Sequence, residues 1–144
     1  MRLLLTDWFT SYLLTGVCLV RAAASGKLAR VSELLAWGAE PHTEARGGGE
    51  GRAGSPLHHA AAANQAAAAE LLLLSGAKVD LPSTEDGGTP LHWSSGADSG
   101  EAALLLLEHG SSPHALDAHG NTPLEVAMVN GKISSPKLLE LLTV

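Results

Sequence analysis

The sequence predicts an all-α solenoid of stacked helix-turn-helix units, and three observations carry that prediction. A signature recurs as Ser55-Pro56-Leu57-His58, Thr89-Pro90-Leu91-His92 and Thr122-Pro123-Leu124-Glu125, with starts 34 and then 33 residues apart. A fixed period of roughly 20–50 residues marks repeat architectures, in which each unit buries its apolar face only by stacking on neighbours. Two copies then share a leucine run closed by glycine: Leu71 to Leu74 with Gly76, and Leu104 to Leu107 with Gly110. Finally, aromatics make up 3% of the chain, while Ala and Leu fill most of a 45% hydrophobic share. That favours closely packed helices over sheets, which draw on β-branched and aromatic residues.

Counting back from Gly38 aligns a degenerate first copy. Its leucines are Leu34 and Leu35, its small pair is Ala22-Ala23, and Leu19 stands where Leu57 and Leu91 stand. Cys18 replaces the proline, so this copy has lost its helix-start signal. In the other copies Pro56, Pro90 and Pro123 suit the first helical turn, where a missing N–H costs nothing. Ser55, Thr89 and Thr122 precede them as N-caps. The small residues that follow (Ala60-Ala61, Ser94-Ser95, and Ala127 with Met128) let two helices approach closely. Gly38, Gly76 and Gly110 end the second helix as left-handed caps. Between the two helices stand Gly26, Asn64, Asp98 and Gly131, all residue types that tolerate positive φ, so a tight left-handed turn is expected there.

The two ends depart from the pattern. In the last copy Ile133-Ser134-Ser135-Pro136 delays the second helix, which is expected to start near Pro136 with Ser135 as cap and to run through Leu142. Residues 3–14 carry Leu4, Leu5, Trp8, Phe9, Tyr12 and Leu13 at mostly helical spacing, which reads as a capping helix on the first copy. A membrane-surface helix would need more Lys and Arg. A signal peptide stays open, because Arg2 precedes an apolar run and Ala22 and Ala24 mimic a cleavage site.

The period, the Thr-Pro-Leu-His signature and the trailing leucines and glycine together resemble the ankyrin repeat family, whose period is about 33 residues. The resemblance covers residues 17–144, as repeats of about 17–43, 55–83, 89–116 and 122–144. Residues 1–16 form an N-terminal helix, cap or signal segment, and 44–54 a Gly-rich insertion. Within it, Gly47-Gly48-Gly49-Glu50-Gly51 is a flexible stretch to which no structure is assigned. The resemblance implies that the loops entering the repeats, Glu85 to Gly88 and Asp117 to Gly120, are β-turn fingers projecting from the stack. It implies that the motif histidines bond to the backbone and to the motif Thr. It further implies a concave surface of finger tips and first-helix ends that binds a protein, as adaptor or steric regulator. Mapped onto this chain, the finger candidates are Glu85, Asp86, Gly88, Ala118, His119 and Asn121. The helix candidates are Ala62, Ala63, Gly96, Ala97, Val129 and Asn130. Trp93 has two readings: an interface anchor, or a filler for the space left by Ser94 and Ser95. Trp37, before Gly38, reads as packing at a helix end.

Other chemistry finds little support. A net charge of -6 does not attract phosphates, so neither nucleic acid nor an anionic membrane is expected as a partner. No local basic cluster stands out, since Arg46 and Arg52 are offset by Glu44 and Glu50. One cysteine, Cys18, rules out an internal disulfide and reads as a small buried hydrophobe. It favours a reducing compartment, cytoplasm or nucleus. His58 and His92 occupy equivalent positions about 8–10 Å apart, too far to share a metal. The remaining histidines show no ligand spacing. There is no nucleophile elbow and no phosphate loop. No catalysis, cofactor, metal or small-molecule substrate is therefore expected. A monomer is expected unless the apolar end at Leu138 to Val144 is paired. Two alternatives remain: a fragment of a longer array, and a secreted, effector-like protein.

Overall fold

The computed structural model describes residues 16–46, 53–131 and 136–143. The expected capping helix, the Arg2 apolar run, Gly47 to Gly51 and Ser135 lie outside the described residues. Helix α1 covers residues 16–25. After it come α2 (Leu28–Ala36), β1 (Ala45–Arg46), β2 (Ala53–Gly54), α3 (Pro56–Ala62), α4 (Ala66–Leu74), α5 (Pro90–Gly96), α6 (Gly100–Glu108), α7 (Pro123–Asn130) and α8 (Pro136–Leu142).

The helices form two layers. In the inner layer α3 packs on α5 and α5 on α7. In the outer layer α2 packs on α4, α4 on α6 and α6 on α8. Each antiparallel pair is closed by its own turn, and a core of buried leucines and alanines runs between the layers. Leu19, Leu57 and Leu91 sit at equivalent inner positions with 1% exposure or less. The small pairs Ala60-Ala61 and Ser94-Ser95 are fully buried, as close approach of α3, α5 and α7 requires.

The start and stop signals act as the residues predict. Pro56, Pro90 and Pro123 open their helices, and Ser55, Thr89 and Thr122 each accept the N–H of the residue three positions on. All three form reciprocal capping boxes, with His58, His92 and Glu125 as the returning side chains. Gly38, Gly76 and Gly110 have φ of 93°, 100° and 90°. The inter-helix turn positions Gly26, Asn64, Asp98 and Gly131 have φ of 70°, 56°, 57° and 63°.

Asn64 does more than tolerate its conformation. Its Oδ1 accepts the Ala102 N–H at 3.1 Å, so the first turn of α6 is capped by the preceding repeat. Asn64→Ala is therefore expected to destabilise by about 1–2 kcal/mol, from left-handed strain and a lost hydrogen bond. Asn64→Gly, which keeps the turn, should cost less in the same urea titration. Equal losses would remove the strain contribution.

The segments flanking the Gly47 to Gly51 stretch pair with one another: Ala45 with Gly54 and Arg46 with Ala53, in an antiparallel ladder. Two expectations need correcting. Trp37 is not packed at a helix end but 66% exposed, with the Arg30 guanidinium 5.6 Å from its ring centre. A cation over the ring face substitutes for burial there. Cys18 is half-buried against the edge of the core rather than sealed in it.

Candidate functional site

The finger loops and the ends of the inner helices form one surface, and its rigidity comes from hydrogen bonds between repeats. His58 Nε2 bonds the Gly88 carbonyl of the next finger at 2.9 Å, and His92 Nε2 bonds the Asn121 carbonyl at 2.8 Å. A carbonyl only accepts, so Nε2 carries the proton in both rings. Nδ1 then accepts from the capping residue: from the Ser55 N–H at 3.2 Å and from the Thr89 N–H at 3.1 Å. Each motif histidine thus ties its own helix start to the finger that follows. This agrees with the role implied by the family resemblance and adds the inter-repeat half of it. Burial pushes the His58 pKa down to about 4, against smaller opposing effects of the Gly88 hydrogen bond and the Glu44 and Asp86 carboxylates.

Neighbouring fingers are braced to one another as well. The Glu44 carboxylate accepts from the Thr84 N–H at 2.9 Å and from the Thr84 hydroxyl. Glu85 Oε2 accepts the Ala53 N–H at 2.7 Å, and the Ser83 hydroxyl donates to the Ala53 carbonyl at 3.2 Å. The Ala118 N–H donates to the Asp86 carbonyl at 3.0 Å. Asp86 Oδ1 accepts from the Gly88 N–H at 2.9 Å and from Trp93 Nε1 at 3.4 Å. His59 Nε2 donates to the Ala45 carbonyl at 2.8 Å, which fixes the first finger.

Trp93 is 2% exposed. Its ring meets His58 and His59 edge-on, at centroid distances of 4.9 and 5.2 Å. It fills the space beneath the fingers, so the filler reading describes it and an exposed anchor does not. Gly88 is buried too, with its carbonyl taken by His58. Trp93 and Gly88 therefore support the surface from beneath without facing a partner. Of the other candidates, Glu85, Ala97, His119, Val129 and Asn130 are exposed, while Asp86, Gly96 and Asn121 are half-buried. Asn130 Nδ2 donates to the Gly96 carbonyl at 3.1 Å, which joins α7 to α5 at the helix ends.

Glu85 and Asp86 read in sequence as charges offered to a partner. In the structure Glu85 holds the preceding finger through the Ala53 N–H, and Asp86 holds its own loop through the Gly88 N–H. Glu44, which sequence reasoning saw only as a counter-charge to nearby arginines, is the brace between the first two fingers. Nothing in its local sequence marks that role, because Thr84 lies 40 residues away. Among the described residues, no group of three or more His, Cys, Asp or Glu is placed to hold a metal.

A family model described as ankyrin repeats (3 copies) matches residues 19–117 and 57–143. No curated protein gives a significant match.

Proposed function

The chain belongs to the ankyrin-repeat family, whose repeats generally mediate protein–protein interaction, and from that premise we propose that it binds a partner through its fingers and inner-helix ends. The observation that carries this reading is the bracing of the fingers by His58, His92, Glu44 and Glu85. A surface held in place before binding loses little conformational entropy when it docks. Its exposed residues are small or moderately apolar: Ala63, Ala97 and Val129, the last 80% exposed. Acidic fingers flank them. This suits a slim, basic or apolar element of a partner protein, bound so that the chain acts as an adaptor or a steric regulator. The role is one of binding rather than catalysis, as is typical of the family. We place it in a reducing compartment, cytoplasm or nucleus, on the half-buried single thiol. No helix among the described residues is long and apolar enough to cross a membrane.

Ala97→Arg and Val129→Arg place a bulky cation on this surface without touching the finger braces. Each is expected to weaken partner capture by about tenfold or more, a change of roughly 1.4 kcal/mol. Leu74→Arg, at a 75% exposed position on the outer helix α4, should leave capture unchanged. Equal capture by all three variants would move the site off this surface.

A second reading, a segment of a longer array, draws on the end face of the fourth repeat. Met128 is 62% exposed there, whereas its counterparts Ala61 and Ser95 are fully buried by the next repeat. Glu125 replaces the motif histidine, so this face lacks the donor with which His58 and His92 hold a following finger. A purified chain that elutes as a monomer counts against this reading.

A further inference from the structure

The hairpin of α1 and α2 brings together cations that are scattered in the sequence. Arg21 on α1, Lys27 in the turn and Arg30 on α2 line an open cleft of about 430 Å³, together with Cys18 and Ser25. That volume lies within the range of small-ligand sites, roughly 300–1,000 Å³. The repeat itself does not dictate these charges. The equivalent residues are His59 and Trp93 for Arg21, Gln65 and Ser99 for Lys27, and Ala68 and Ala102 for Arg30. Ala68 and Ala102 are at most 1% exposed, whereas Arg30 reaches solvent. The only ion pair among the described residues joins Arg30 to Glu33 at 2.8 Å. Arg21 and Lys27, both exposed, therefore have no carboxylate within ion-pair distance among those residues. The first turn of α2 has no side-chain cap, so its backbone adds positive potential.

We propose that this cleft is an anion site that takes a single carboxylate or phosphate group, held by Arg21 and Lys27 with Arg30 at its edge. It uses none of the finger residues and does not depend on the partner-binding reading. An open, cationic cleft with a partly apolar floor suits a charged group carried on a small molecule or on an acidic peptide side chain.

Cys18 is the only cysteine of the chain and lines the cleft, so its thiol reports on the local potential. The experiment compares its reaction rate with dianionic 5,5′-dithiobis(2-nitrobenzoate) and with neutral 4,4′-dithiodipyridine, using the full chain at fixed ionic strength. Arg21→Gln combined with Lys27→Gln should slow the dianion about tenfold and leave the neutral reagent unaffected. In the wild type, inorganic phosphate or a capped tetraglutamate peptide should protect the thiol beyond what chloride does. Protection by phosphate alone identifies a small anion, and protection by the peptide identifies a peptide-borne carboxylate. Equal dianion rates in wild type and variant would overturn the proposal. So would a thiol inert to both reagents, or protection by neither probe beyond chloride.

Discussion

Leu91→Ala is expected to destabilise the fold by about 2–5 kcal/mol, read as a lower urea midpoint. Leu91 has no solvent exposure, and it lies on α5, the inner helix that packs on both α3 and α7. Truncation removes buried methyl groups and leaves a cavity that rigid helix starts on either side cannot close. In a solenoid, stability is the sum of repeat stabilities and nearest-neighbour interfaces, so a hole in a middle repeat weakens two interfaces. Leu124→Ala provides the control. The same motif position in the last repeat is only half-buried, and a smaller loss is expected. If the two variants lose the same amount, the cost does not come from packing between repeats.

Stability is also expected to fall by about 3 kcal/mol between pH 6.5 and pH 4 through His58 alone, from the gap between its folded and ordinary pKa values. Above about 6.5 the ring is neutral in both states and contributes no pH dependence. Between 6.5 and 4 the unfolded chain takes up a proton that the folded chain refuses, so acid favours unfolding. Below about 4 both states are protonated and the loss levels off. The cause is burial, which strips hydration from the charged ring and outweighs the help of the Gly88 hydrogen bond and the Glu44 and Asp86 carboxylates. His58→Gln keeps hydrogen-bonding capacity without a titrating ring. Its stability should vary less with pH over this window than that of the wild type. Parallel curves for the two proteins would show that His58 is not the titrating group.

Much of the fold was legible because its signals are local. Proline at the helix start, Ser or Thr before it, and Gly, Asn or Asp at the left-handed turns each constrain the backbone within a few residues. The period then multiplied each signal. The surface was less legible, because its braces join residues about 30 to 40 positions apart in different loops. Glu85 and Asp86 look like solvated charges when only their neighbours are visible. The cleft at the first repeat is hidden in the sequence for the same reason: Arg21, Lys27 and Arg30 form no run there, and only the closing of the α1–α2 hairpin gathers them. Trp93 admits two readings in sequence because its size is evident there and its surroundings are not. Two histidine rings and an Asp86 carboxylate, all from other turns of the fold, decide the matter.

The histidine bridges also impose an order of events on synthesis. His58 finds its carbonyl partner 30 residues further along the chain, and His92 finds its own 29 residues further. At a translation rate of about 5–20 residues per second, each helix start waits roughly 2–6 s before the finger that satisfies it has been made. The second and third repeats thus emerge incomplete, each finished by its successor. The fourth is different: Glu125 turns back to accept the N–H of Thr122 at 2.9 Å and needs nothing downstream. Its helix start is therefore complete as soon as Glu125 has been made, without waiting for a later finger.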